Sequence, residues 1–221
     1  MPQQVRNPIF GRVYAALAGS PLGKAMEKDR RRLLDGLSGR VVEVGAGSGS
    51  NFPFYPPEVT QVAAVEPEPY LRGRAEEAAK KAPVPVTVHA ATAASLPFPD
   101  ASFDAGVFCL VLCSVPSQPE ALAEMYRVLK PGGELRFYEH VAAAPGKMLR
   151  RVQQASDTVW PRLFGGCHTR RDTVSAIRDA GFEIDRVKDL SLTIAGVPSP
   201  ITPHAAGVAR RPQASKPAAA E

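Results

Sequence analysis

The chain is poor in sulfur and in large aromatics, with three cysteines, one tryptophan and five tyrosines in 221 residues. Cys109, Cys113 and Cys167 make an odd number without a C-x-x-C pair. That pattern fits neither a disulfide framework nor a cysteine-based metal site, and it suits a reducing, cytoplasmic setting. No apolar run reaches 18 residues, so no membrane span is expected, and the N-terminus lacks the apolar core of a signal peptide. No basic run is interleaved with aromatics as a nucleic-acid surface would require, and the net charge of +5 is modest. Arg30-Arg31-Arg32, with Lys24, Lys28 and Arg40 nearby, lies among Glu27, Asp29 and Asp35 and reads as a solvated helix face. Internal repeats are absent as well. The remaining composition is that of one soluble globular domain.

What the sequence does have is Val41-Val-Glu-Val-Gly-Ala-Gly-Ser-Gly49, an apolar strand running into a three-glycine turn. Glycine lets a chain turn sharply and lets a ligand approach without meeting a Cβ. A helix opening near Asn51 would aim N–H groups and the positive end of its dipole at that ligand. Two cofactor classes compete. The dinucleotide fingerprint G-x-G-x-x-G packs its third glycine beneath a pyrophosphate, whereas here the pattern is Gly45-x-Gly47-x-Gly49 followed by Ser50. Glu43, two residues before the first glycine, is awkward beside a pyrophosphate and well placed to meet an ammonium. Glu66 follows the strand Val62–Val65, about 20 residues beyond the turn, where an acid meets ribose hydroxyls in either class. Glu43 therefore favours S-adenosylmethionine, which carries an ammonium and a sulfonium and no phosphate.

Around this turn the sequence alternates strands and helices. Strands are predicted at Arg40–Val44, Val62–Val65, Val84–His89, Ala105–Leu112, Glu134–Val141 and Phe182–Val187, with a last short one near Ala206–Ala209 closing the sheet. Helices are predicted over residues 22–37 and 71–81, after the capping box Ser117-x-x-Glu120, and before the Ala180-Gly181 stop. The alternation implies an α/β fold with a doubly wound, mostly parallel seven-stranded sheet.

Taken in order, Val41–Gly49, Glu66, Leu96-Pro97-Phe98, Ser102-Phe103-Asp104 and Leu129-Lys130-Pro131-Gly132-Gly133 resemble the class I S-adenosylmethionine-dependent methyltransferases over most of residues 40–140. Asn51-Phe-Pro-Phe-Tyr-Pro56, Leu110-Val-Leu-Cys-Ser-Val115, Glu139-His-Val-Ala-Ala143 and the segment from Asp157 through Trp160 to Gly166-Cys167 are similar to the thiol methyltransferase branch, to about residue 170. The mammalian members of that branch begin with a membrane anchor that this sequence lacks, and bacterial relatives include enzymes that cap thiols of natural products. Many class I enzymes also carry an acid after strand three. Here the loop reads Ala90-Ala-Thr-Ala-Ala-Ser95, which leaves adenine to backbone groups and the Thr92 hydroxyl. The expected organisation is an N-terminal arm with lid helices over residues 1–38, a methyltransferase domain over 39–210 whose βαβ rhythm is broken by a substrate-covering insertion at about 142–170, and an Ala- and Pro-rich disordered tail at 211–221.

The resemblance also implies a cofactor set of Glu43, Gly45, Ala46, Gly47, Gly49, Asn51, Glu66, Pro67, Thr92, Ala93, Cys109 and Tyr14, with Phe10 and Tyr14 on the lid. Asp104 is expected to hold neighbouring backbone amides, Cys113 to pack in the core, and Trp160 to anchor the insertion. His140, at the active edge of strand five, and His168 in the insertion are the candidates for deprotonating an acceptor. The partner implied is a small-molecule thiol. A thiol of pKa about 8.5 already supplies some thiolate at neutral pH. Alignment alone can then contribute roughly 7–11 kcal/mol at the upper end, so a general base is optional. An oxygen or carbon acceptor of quinone or polyketide type would instead make His140 indispensable. A binding module without chemistry is the remaining reading.

Overall fold

The structure, a computed structural model, describes residues 8–18, 20–193 and 199–213. Helices α1 (Pro8–Ala18), α2 (Pro21–Ala25) and α3 (Glu27–Leu34) precede the sheet. The continuous helix predicted over 22–37 is divided at Met26, whose N–H closes α2 on Gly23 and whose carbonyl opens α3. There follow β1 (Gly39–Val44), β2 (Val59–Val65), α4 (Pro69–Ala79), β3 (Val86–His89), β4 (Phe103–Cys109), α5 (Gln118–Val128) and β5 (Leu129–His140). Helices α6 (Met148–Ser156), α7 (Trp160–Leu163) and α8 (Thr173–Asp179) lead to β6 (Glu183–Ser191) and β7 (Pro203–Arg210).

The sheet order is β3-β2-β1-β4-β5-β7-β6, with β1 to β5 parallel and β7 antiparallel to both its neighbours. This is the expected seven-stranded, mostly parallel α/β sheet. β7 is longer than predicted, and it lies between β5 and β6 rather than at the edge. Its buried Ala205, Val208 and Ala209 suit an interior position, whereas β6 is exposed along most of its length.

Alternation along the strands divides the core into two layers. Val42, Val44, Val65 and Phe108 pack with Leu122 and Met125 of α5 and Ile177 of α8 on one face. Val41, Val62, Val107 and Cys109 pack with Leu33 and Leu34 of α3, Phe52 and Tyr55 on the other. Each large apolar side chain so buried contributes about 1.5–3 kcal/mol. Helix starts are capped as the sequence asks: Ser117 Oγ accepts from the Glu120 N–H at 3.3 Å, and Glu68 accepts from the Leu71 N–H at 2.8 Å. Asp104 accepts from the Arg40 N–H at 2.8 Å and from Lys130 at 2.6 Å, as expected of a residue that ties strands together.

Two expectations fail for local reasons. No α-helix opens near Asn51; Pro53, Pro56 and Pro57 allow only the three-residue 3-10 turn Phe52–Phe54. Fixed chain also extends past Arg210, because the Arg211 guanidinium donates to the carbonyls of Tyr126 (2.8 Å) and Leu129 (2.6 Å). Residues 214–221 of the expected tail lie outside the described residues.

Candidate active site

The glycine loop joins β1 to the 3-10 turn at the carboxyl ends of the strands, where open α/β sheets bind ligands. Gly45, Gly47 and Gly49 have φ of +72°, +57° and +81°, conformations that favour glycine. Packing adds a second requirement. A Cβ on Gly45 would stand 2.4 Å from Val111 Cγ2, and one on Gly49 2.8 Å from both Ala78 and the Phe52 ring. The N–H groups of Gly45 and Ala46 both donate to the Val65 carbonyl, which fixes the loop against β2.

Glu66 accepts from the N–H groups of Gly47 and Glu68, each at 2.9 Å, so it ties the loop to the start of α4. Burial raises its pKa against the pull of those two N–H groups. Glu43 is 2% exposed, and its carboxylate accepts from Asn51 Nδ2 at 2.9 Å and Tyr55 Oη at 2.7 Å. Burial pushes its pKa up to about 7, although both hydrogen bonds hold it down. The Glu43 carboxylate, read from sequence as facing an ammonium, thus has protein partners on both oxygens.

Arg30 corrects the reading of the arginine run. Arg32 pairs with Asp29 on the surface, but Arg30 is 8% exposed and enters the site. Its Nη1 donates to Asn51 Oδ1 at 2.6 Å and to Cys109 Sγ at 3.4 Å, and its guanidinium hydrogen-bonds Tyr14. Met26, Arg30, Leu33 and Leu37 recur at helical spacing and are all buried, which is the signal that three consecutive arginines obscured. Burial lifts the Cys109 thiol to about 11, so it is a neutral acceptor there. Tyr14 lies against the loop, its ring 3.0 Å from where a Gly47 Cβ would be. The Phe10 side chain lies outside the described residues.

The remaining residues of the expected cofactor set follow β2 and β3. The Pro67 carbonyl accepts from Arg72 at 3.2 Å. Thr92 forms a tight bridge with Ser95 after β3, and Ala93 packs against the core beside it.

The other end of the site begins where β4 stops. The strand ends at Cys109, three residues earlier than predicted, because Leu110 takes φ +61°. Glu139, fully buried on β5, accepts from the N–H groups of Val111 (2.8 Å), Leu112 (3.0 Å) and Cys113 (3.2 Å) and holds that turn. Sequence reasoning quoted Glu139 in a motif and gave it no role.

Next to it, His140 Nδ1 lies 3.4 Å from Cys167 Sγ. A ring nitrogen of His140 and the sulfurs of Cys113 and Cys167 all lie within 4.8 Å of one another. The nearby Cys167, with burial, pushes the Cys113 thiol well above its ordinary pKa, while the nearby Cys113 lowers that of Cys167 against burial. Burial disfavours a charged His140, yet Cys113 and Glu139 beside it outweigh burial and raise its pKa. His204 on β7 packs edge-on to His140 at 4.5 Å; burial drives its pKa down to about 4, and its Nε2 has no hydrogen-bond partner among the described residues. Cys113, read as simple packing, therefore belongs to a polar cluster.

The insertion is pinned over this end by two buried residues, Gln153 of α6 and Asp157 just past its end. Gln153 bonds the Ala143 N–H and the carbonyls of Val141 and Pro200. Asp157 accepts from His168 Nδ1 (3.1 Å), the Thr169 N–H (2.7 Å) and Arg170 (3.0 Å). His168 is thus paired to Asp157, while its backbone N–H donates to the Cys113 carbonyl. The position facing His140 is that of Cys167, not His168. Trp160 stacks on Phe164 at 4.1 Å within the insertion.

A family model described as a methyltransferase domain matches residues 42–137. The chain is 36% identical over 172 residues to thiol S-methyltransferase TMT1B of Rattus norvegicus, covering 72% of this chain and 69% of that protein. It is 38% identical over 154 residues to thiol S-methyltransferase TMT1A of Homo sapiens, covering 66% and 62%. Among solved structures, the [4+2]-cyclase SpnF matches with a TM-score of 0.70 at 22% identity, over 88% of this chain and 84% of that one. Geranyl diphosphate C-methyltransferase of Streptomyces coelicolor A3(2), solved with S-adenosyl-L-homocysteine, matches with a TM-score of 0.68 at 16% identity, over 86% and 82%. Both structural matches are likenesses of fold.

Proposed function

The chain belongs to the class I S-adenosylmethionine-dependent methyltransferases, and we propose that its acceptor is the thiol of a small molecule. The surroundings of the glycine loop fit the cofactor. Glu43, Glu66 and Glu68 are buried around it, and a three-residue 3-10 turn rather than an α-helix follows it, which suits a sulfonium and an ammonium better than a phosphate. In this reading Glu66 takes the ribose hydroxyls, Glu43 acts on the ammonium through Asn51 and its own charge, and Thr92 and Ala93 border the adenine. Tyr14 and Arg30 close the loop from the side of α1 and α3. Bound S-adenosylmethionine supplies an electrophilic methyl group.

The observation that carries the thiol assignment is the state of the carboxylates at the other end. Glu139 is taken by three backbone N–H groups, and Asp157 by His168, Thr169 and Arg170. Among the described residues around His140, no carboxylate is left to pull a proton from a hydroxyl or a carbon acid. A thiol needs no such group, because its thiolate is accessible near neutral pH and strongly nucleophilic. The names of the 36% and 38% identical relatives support the same acceptor. The protein's task is then to align acceptor sulfur, methyl and sulfonium in a dry pocket beneath the insertion, with His140 beside the acceptor.

The test is methyl transfer from radiolabelled S-adenosylmethionine to a panel of small thiols, phenols and quinols. Thiols should turn over and phenols should not. Turnover of a quinol or phenol with none on any thiol would overturn the assignment. Cofactor binding without turnover on the whole panel would favour a binding module.

A further inference from the structure

We propose that Cys113, His140 and Cys167 bind a zinc ion at the acceptor end of the sheet, with its fourth coordination position open to the sulfur of the methyl acceptor. The last clause rests on the thiol assignment above; the metal site does not. Two thiolates and an imidazole are the ligands that suit zinc, and three protein ligands with one open position are the form of a catalytic rather than a structural zinc site. A tetrahedral ion with Zn–S of about 2.3 Å and Zn–N of about 2.0–2.1 Å has edges of roughly 3.5–3.8 Å between ligand atoms. The pair His140 Nδ1 and Cys167 Sγ stands at 3.4 Å, and the whole set lies within 4.8 Å. Small side-chain rotations would close it on an ion.

The three ligands come from separate segments, and each is positioned by its neighbours. Glu139 fixes the Cys113 N–H, and His168 N–H binds the Cys113 carbonyl beside Cys167. The His140 ring packs on that of His204. Charge also closes. Glu139 accepts the Cys113 N–H at 3.2 Å and Arg171 donates to the adjoining Leu112 carbonyl at 2.6 Å, so both charges stand beside the site. Two thiolates and the Glu139 carboxylate are neutralised by a dication and the Arg171 guanidinium.

Binding releases the two thiol protons to solvent as two Zn–S bonds form. An acceptor thiol then replaces water at the fourth position, and its proton leaves with that water to solvent as the Zn–S bond forms. Its sulfur forms the new S–CH3 bond as the sulfonium–CH3 bond breaks, and the neutral thioether leaves the ion. On this reading His140 serves the acceptor as a ligand rather than as a base.

The experiment measures zinc in the full-length reduced chain by mass spectrometry of the metal, then replaces zinc by cobalt(II). About one equivalent per chain is expected, with the intense thiolate-to-cobalt absorption of a tetrahedral sulfur site. Cys167→Ser should weaken metal affinity by more than the roughly 10–100-fold that losing a group merely bonded to a ligand costs. The cobalt spectrum of the unmutated chain keeps the test valid if that variant does not fold. A folded chain that takes up no zinc and shows no thiolate–cobalt band overturns the site, and thiol turnover by such metal-free protein leaves the thiol assignment standing. Bound zinc in a protein inactive on thiols overturns the thiol assignment and leaves the site. An added thiol acceptor should shift the cobalt spectrum; an unchanged spectrum during turnover overturns the open-position role.

Discussion

The glycine-loop side and the sulfur side of the site are built by opposite means. On the first, carboxylates bond groups nearby in the chain: Glu66 holds Glu68 and Gly47, and Glu43 holds Asn51 and Tyr55. On the second, Glu139 reaches back to residues 111–113, and Cys113, His140 and Cys167 meet from a loop, a strand end and the insertion. The carboxylate bonds of the first side can be written as a motif, while Arg30 and Tyr14 join it from farther away. A site assembled from distant segments exists only once the tertiary structure has docked them.

The most severe way to break that contrast is Glu139→Ala. It strands three backbone N–H groups and frees the strained Leu110 turn, and should cost about 4 kcal/mol or more in urea unfolding. A loss under about 1 kcal/mol would mean that the turn holds itself.

The two sides also respond to pH with opposite sign. Glu43 has a folded pKa of about 7 against 4.5 unfolded. Its contribution to stability is therefore full below 4.5 and is lost as pH rises through 7. His204 has a folded pKa of about 4 against 6.5, so its contribution is full above 6.5 and is lost as pH falls through 4. Each effect is at most about 3 kcal/mol. In unfolding measured from pH 4 to 8, Glu43→Gln should flatten the loss toward high pH and His204→Phe the loss toward low pH. Unchanged slopes would refute these assignments.

His140→Ala sharpens the comparison at the reacting centre. A drop of about 10²-fold in turnover at neutral pH is expected. Recovery at alkaline pH, where the thiolate is abundant, would mark a proton-transfer role; a deficit that persists is what loss of a metal ligand produces. Glu66→Ala should weaken S-adenosylhomocysteine binding roughly 10–30-fold by calorimetry, since the Gly47 and Glu68 N–H groups lose their acceptor. Tyr14→Phe is the mildest, with a few-fold weakening of the same ligand as its bond to Arg30 disappears. An effect equal to that of Glu66→Ala would make the lid part of the loop's own framework.

The same contrast explains what could be read in advance. The alternation of strands and helices and the strand-to-glycine turn rest on periodicity and short spacing, and both are legible. Arg30 was hidden because its neighbours in the sequence are solvated arginines, although its spacing from Met26 and Leu33 placed it on the buried stripe. The approach of Cys113 and Cys167 to His140 is not legible from sequence spacing, which carries no information about residues brought together by an insertion. The helix expected after Asn51 gave too little weight to three prolines. Nothing local distinguishes β7 as an interior strand; its place depends on pairing with β5 and β6 together.

That interior place has a consequence for biosynthesis. β1 to β4 can assemble the glycine-loop side as soon as they leave the ribosome, whereas the gap between β5 and β6 stays open until residues 203–210 have been made. His204, which backs His140, arrives with that strand. The nascent chain can thus form its glycine loop early, yet remain without the strand that backs His140 until residues 203–210 have followed.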